Sequence, residues 1–162
     1  MVGCETDFSH LAGDLPVTAP TRSRLFAGLA AVSLMGLLYW LSSISNLTFF
    51  QKTQLPAWVA WWVENFRIAW GHGGFFSYGF SLHPDNLIHK AGHIILYGLL
   101  GSCLYVATGR SLRWTLFIVI IYAFSDEWHQ SVVPGRDARF FDVVLDVLSA
   151  WGFVRVLLRF YQ

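Results

Sequence analysis

From Leu25 to Ser43 the chain runs nineteen residues without a charge (LFAGLAAVSLMGLLYWLSS), with Arg22 and Arg24 before the run and Tyr39 and Trp40 near its end. A helix climbs about 1.5 Å per residue, so a run of this length nearly matches the roughly 30 Å hydrocarbon core of a bilayer. Few soluble folds can bury a uniformly apolar helix in a chain of 162 residues. Composition agrees: 55% of residues are hydrophobic, 13% are charged, and mean hydropathy is +0.49. Eight tryptophans suit the boundary between lipid and water. A formal charge of +1 gives no electrostatic footprint for nucleic acid.

Three further segments approach spanning length, at about 91–108, 112–130 and 140–158. The last two reach it only by including Asp126 and Glu127, or Asp142 and Asp146. The expected fold is therefore all-α, a polytopic bundle of four transmembrane helices (about 25–43, 91–108, 112–130 and 140–158) forming one domain over residues 22–162. Residues 1–21 are expected to be a flexible tail, mixed polar and without the apolar core of a cleavable signal peptide. In the long connection 44–90, Trp58, Trp61, Trp62, Phe66, Ala69 and Trp70 recur at helical spacing, which predicts an amphipathic interfacial helix over about 57–70. Six arginines near one set of span ends (Arg22, Arg24, Arg110, Arg113, Arg155, Arg159) face five basic residues on the other side, which favours both termini in the cytoplasm.

In an antiparallel bundle, the start of the second span, the end of the third and the start of the fourth meet at one membrane face. The unusual residues lie there. Lys90, His93, Tyr97 and Gly101 fall within about 80° of one helical face. Asp126, His129 and Gln130 share another face with Glu127 to one side; Arg139, Asp142, Asp146 and Ser149 share a third, and Arg136 sits in the turn between them. A carboxylate at membrane depth costs at least ~2.5 to 3.5 kcal/mol on insertion scales, so these groups should face one another and pair. Lys90 and Arg136, with Arg139, would neutralise two or three of the four carboxylates. Such pairs can also serve only to fix helix register.

Several chemistries are compatible with the cluster. Asp126 or Glu127 could act as a base with His93 as partner, although no catalytic motif is present. His89 and His93 are four residues apart, a weak metal-site spacing that His129 could extend, but no zinc signature accompanies it, and neither a metal nor another cofactor is expected. Buried carboxylates also suit proton-coupled transport, against which four short spans without an inverted repeat leave little room for alternating access.

Two blocks carry a resemblance. HKAGHIILYGLLG (89–101) resembles the Lys-x-x-His-x-x-x-Tyr helix of the VanZ-like family, and SDEWHQSVVPGRDARFFDVVLDVLSAWG (125–152) resembles its Asp-Glu-x-x-Gln, Pro-Gly-Arg and Asp-x-x-x-(Asn/Asp) segment; Ser42 and Ser43 also suit the pattern. Carried over by position, the family's polar residues fall on Lys90, His93, Tyr97, Asp126, Glu127, Gln130, Arg136, Asp142 and Asp146. The resemblance implies a multi-pass protein of the bacterial cytoplasmic membrane, in a family whose founding member is associated with low-level teicoplanin resistance. From the convergence of the polar faces we expect an outward-facing charged pocket for a polar or anionic headgroup, with membrane lipids and a lipid-linked or cell-wall ligand as partners. A membrane-embedded enzyme using the Asp/Glu/His cluster is the alternative.

Overall fold

The computed structural model describes residues 20–45, 56–70, 75, 78–81, 84–134, 136 and 138–160. Most of the expected N-terminal tail, residues 1–19, lies outside them. Five helices follow in order: α1 (Thr21–Ser43), α2 (Ala57–Asn65), α3 (Pro84–Ala107), α4 (Leu112–Val132) and α5 (Phe140–Phe160). Between α2 and α3, β1 (Arg67–Trp70) pairs antiparallel with β2 (Tyr78–Ser81), with Arg67 opposite Ser81 and Trp70 opposite Tyr78.

The helical class holds, with five helices carrying the fold and a short two-stranded hairpin in the long connection. That hairpin corrects one expectation: the helix expected over 57–70 stops at Asn65. Asn65 Nδ2 folds back on its own helix and donates to the Trp61 carbonyl at 2.7 Å, and the Phe66 amide closes the last turn on the Trp62 carbonyl. The residues beyond it, Arg-Ile-Ala-Trp, carry β-branched and aromatic side chains that suit a strand, and a run this short has no periodicity to separate the two states.

Helix boundaries have local causes. α3 starts on a proline, whose missing N–H costs nothing at the first helical position, and Asp85 in its first turn favours the positive end of the dipole. Its start lies seven residues before the expected 91, so His89 and Lys90 are fully helical. It ends where Gly109 and Arg110 adopt left-handed backbone (φ 72° and 68°), with the Arg110 amide returning to the Tyr105 carbonyl at 2.8 Å. This is a Schellman-type closure. It lets α4 begin at Leu112 and run antiparallel.

The three helices α1, α4 and α5 all pack against α3. At one end, Arg24 Nε donates to the Ala107 carbonyl at 3.3 Å. At the other, Ser43 Oγ lies 3.0 Å from His129 Nε2, and near mid-helix Tyr122 Oη donates to the Met35 carbonyl at 2.5 Å. The core combines small and medium apolar residues (Ala31, Leu38, Leu100, Leu104, Val119, Ala123, Val143 and Ala150) with the fully buried ring of Tyr97.

The surface is the more informative half. Trp114 is 62% exposed, Phe117 53%, Ile121 54%, Trp151 41% and Val156 53%, while Asp126, Glu127, Gln130 and Asp146 are buried. All four long helices turn large apolar side chains outward and polar ones inward, the reverse of a soluble bundle. Two of them, α1 and α3, are long and apolar enough to cross a membrane by length and composition; α4 and α5, at 21 residues each, match the expected 112–130 and 140–158 in position but carry too many charged residues to pass the same measure. Asp126 and Glu127 with Arg113 in α4, and Asp142 and Asp146 with Arg155 and Arg159 in α5, are the reason.

Candidate functional site

The expected polar residues converge at the end of the bundle where α1 and α4 finish and α3 and α5 begin. Along one face of α3 they form three steps. Lys90 Nζ donates to Asp142 Oδ1 at 2.5 Å. One turn on, His93 Nδ1 lies 3.1 and 3.3 Å from the two carboxylate oxygens of Asp146. A turn deeper, Tyr97 Oη donates to Asp126 Oδ2 at 3.3 Å. The spacing of three and four on α3 meets a spacing of four on α5, so these two parallel helices are held in register by their own polar pairs.

The helices approach closely enough because α3 carries glycines on this side. A Cβ on Gly101 would stand 2.7 Å from Ala150 Cβ and 2.9 Å from its Cα, and one on Gly98 would meet the Phe153 ring. Small residues let backbones approach, and here they bring Lys90 and His93 within reach of α5.

On α4, Gln130 Nε2 bridges to Asp126 Oδ2 at 3.1 Å and to Ser42 Oγ of α1 at 3.4 Å. The other Asp126 oxygen, Oδ1, is buried with no partner among the described residues. Such an acceptor costs about 1–3 kcal/mol relative to a bonded one. Glu127 is 1% exposed and therefore inside the cluster, not beside it; its Oε2 accepts the Arg139 amide at 2.8 Å. That amide is at the opening of α5, so Glu127 secures the turn that brings α5 alongside.

Arg136 is held differently from the expectation of a carboxylate partner. Its Nε and Nη2 donate to the Ile44 carbonyl at 3.3 and 3.1 Å, Nη2 also donates to the Leu41 carbonyl at 3.0 Å, and Nη1 lies 2.5 Å from His89 Nε2. The last carbonyls of a helix have no intrahelical donor and sit at its negative pole, which suits a guanidinium. Burial pulls the Arg136 guanidinium down from its ordinary value, and the carboxylates of Asp126 and Glu127 act in the opposite sense. A guanidinium only donates, so His89 must accept at Nε2 and carry its proton on Nδ1.

Two cavities open beside these groups, on different sides of α3. One, about 180 Å³, lies between α1 and α3 and is lined by Leu38, Leu41, Ser42, Asp85, Ile88, His89, Gly92, His93, Leu96 and Arg136. The other, about 430 Å³, lies between α3 and α5 and includes Lys90, Asp142, Ile94 and Phe141. Lys90 and Arg136 therefore do not line one common cavity. The reason is rotational: Lys90 follows His89 directly, and adjacent helical residues diverge by about 100°.

Of the weak metal candidates, His89 and His93 lie with ring centroids 4.6 Å apart and planes tilted by 43°, while His129 stacks on Tyr39 at 4.4 Å and turns toward α1. Among the described residues no group of three His, Cys, Asp or Glu side chains is placed to hold a metal ion. His93, proposed as partner to Asp126 or Glu127, pairs instead with Asp146. Ser149, on the expected polar face of α5, bonds its own helix at the Leu145 carbonyl. The sequence reading overlooked the Leu41 and Ile44 carbonyls. A lone arginine in a polar turn near the end of another helix is the signal that could have pointed to them.

The family model VanZ/LLP1 matches residues 25–160, a range that takes in α1, the hairpin and the whole polar cluster. No curated protein and no solved structure matches the chain.

Proposed function

The chain belongs to the VanZ/LLP1 family, and from that premise we propose a multi-pass protein of the bacterial cytoplasmic membrane whose pocket between α1 and α3 binds the polar or anionic headgroup of a lipid or lipid-linked envelope component. Four spans, α1, α3, α4 and α5, cross the bilayer. Supporting this is the outward apolar face of each, together with lengths of 21 to 24 residues, or roughly 32 to 36 Å. Arginines at the end opposite the cluster (Arg22, Arg24, Arg113, Arg155, Arg159) favour the cytoplasm there, so the cluster faces outward. The Trp face of α2, with Trp58, Trp61 and Trp62 more than half exposed, lies in the outer interface.

The observation that carries the binding reading is the mixed lining of the smaller cavity. Arg136, His89, His93 and Ser42 supply polar contacts beside Leu38, Leu41, Ile88 and Leu96. A headgroup with attached hydrocarbon has that division, and an arginine fixed by backbone carbonyls keeps part of its donor fork for an anion. Lys90, oriented by Asp142, serves the neighbouring α3–α5 side. The test is mass spectrometry of the lipids that co-purify: Arg136→Ala should lose a species that wild type and Arg136→Lys retain, and an unchanged lipid complement in Arg136→Ala would refute the reading. A role in envelope homeostasis or teicoplanin-type resistance follows from the family, and is checked by comparing susceptibility of strains expressing wild type and Arg136→Ala.

A second reading, an enzyme acting on a lipid-linked or cell-wall substrate, is favoured by one specific observation. His93 lines the same cavity and has a carboxylate behind its Nδ1.

A further inference from the structure

The His93–Asp146 pair has a feature that packing alone does not require. Asp146 is fully buried and takes His93 Nδ1 with both oxygens, which fixes the ring and leaves Nε2 as the nitrogen available for chemistry. Nε2 has no hydrogen-bond partner among the described residues, and it is not among the polar atoms sealed from solvent. The imidazole lines the α1–α3 cavity. A carboxylate that orients an imidazole and leaves the far nitrogen open is the arrangement by which histidine abstracts a proton in acyl and phosphoryl transfer.

The same cavity wall indicates which substrate class such a base would meet. Arg136 spends three of its N–H groups on the Leu41 and Ile44 carbonyls and a fourth on His89 Nε2, which leaves one Nη1–H. His89, by accepting at Nε2, carries an Nδ1–H, and Ser42 contributes a hydroxyl; the Asp85 carboxylate is the one acidic group in the described lining. Fixed donors around one cation suit the several acceptor oxygens of a phosphate better than a single carbonyl oxygen. The leucines of the lining suit an attached hydrocarbon.

We propose that the α1–α3 cavity is a hydrolytic site for lipid-borne phosphate monoesters, with His93 as general base, Asp146 as its positioning residue, and Arg136 with His89 holding the phosphate. It rests on the headgroup reading above and names its ligand class. In the reaction, the oxygen of a water molecule bonds to phosphorus as the bond from phosphorus to the lipid oxygen breaks. His93 Nε2 takes a proton from that water and returns it to the departing alkoxide. Phosphate ester and water become alcohol and inorganic phosphate, with no change of oxidation state.

The experiment uses the full chain purified in detergent micelles, with dodecyl phosphate and phosphatidic acid as probes. Binding is followed by equilibrium dialysis and turnover by release of inorganic phosphate. Wild type should bind and release phosphate, and His93→Asn should still bind while turning over on the order of 100-fold more slowly. Asp146→Asn should lower kcat with little change in KM, which a purely structural loss would not separate. Wild type that binds the probes yet releases no phosphate overturns the catalytic assignment and leaves the headgroup reading standing, whatever the variants do. Turnover by His93→Asn at the wild-type rate overturns it too, and an unchanged kcat in Asp146→Asn removes the positioning role. Failure of wild type to bind either probe overturns the assignment of the ligand as a phosphate monoester. The headgroup reading itself then stands or falls on the lipids that co-purify.

Discussion

The seam between α3 and α5 and the seam between α1 and α3 are built on opposite faces of the same helix by opposite means. On the α5 side, Gly98 and Gly101 let the backbones approach until a Cβ would collide, and polar pairs span the contact at Lys90–Asp142 and His93–Asp146. On the α1 side, Gly92 meets nothing within 4 Å, and Leu38 and Leu41 border a cavity. The α5 seam is tight at Gly98 and Gly101 and opens only toward Lys90 and Asp142, into the larger cavity, whereas the α1 seam opens beside Gly92 and His93. A bundle whose carboxylates are neutralised across one interface can leave a space beside the other without exposing charge to lipid.

The sharpest way to break that contrast is to unpair the α5 seam. Asp146→Ala leaves His93 facing α5 without its acceptor, and truncating one partner of a buried pair typically costs about 3–5 kcal/mol. Its unfolding midpoint in detergent should fall further than that of any substitution confined to the α1 side. Arg136→Ala tests the α1 seam at its anchor. Losing donors to the Leu41 and Ile44 carbonyls should cost about 1.5–3 kcal/mol, and hydrogen exchange should rise selectively in the last turn of α1.

Glycine substitutions sharpen the comparison because the chemistry is identical on both faces. Gly101→Ala forces its methyl against the Ala150 backbone, and overpacking of this kind costs about 1–3 kcal/mol. Gly92→Ala should be tolerated, with helix propensity contributing up to about 1 kcal/mol in the stabilising direction. Equal melting temperatures for the two would mean that the seams do not differ as described. A smaller loss than for Asp146→Ala is expected from Lys90→Ala, because both partners of its ion pair are about one-fifth exposed whereas Asp146 is fully buried. Lys90→Ala should also leave co-purified lipid unchanged, because Lys90 faces the other cavity.

Much of this arrangement is legible in the chain. The nineteen uncharged residues of α1 dictate a helix of spanning length, and spacings of three and four place Lys90, His93 and Tyr97 on one face. Asp126, Asp142 and Asp146 inside otherwise apolar helices imply inward-facing partners. The hairpin at 67–81 was not legible, because four-residue strands carry too little pattern to compete with a helical stripe that began at Trp58. Nor was Arg136 docking on carbonyls, since backbone acceptors have no signature in a sequence. Glu127 also defied the helical wheel: adjacent to Asp126, it is buried because the turn after α4 folds back and offers it the Arg139 amide.

Local periodicity thus decided which residues lie on which face of each helix, and inward polar faces are what the proposed membrane setting would require of them. Tertiary structure alone decided the partners: His93 with Asp146 and not Asp126, Lys90 and Arg136 in separate cavities, and where each seam opens. The physical reason is that helical spacing fixes angles about a single axis. The distance and rotation between axes depend on side chains from segments far apart in the chain, here Gly101 against Ala150 and Arg136 against the end of α1.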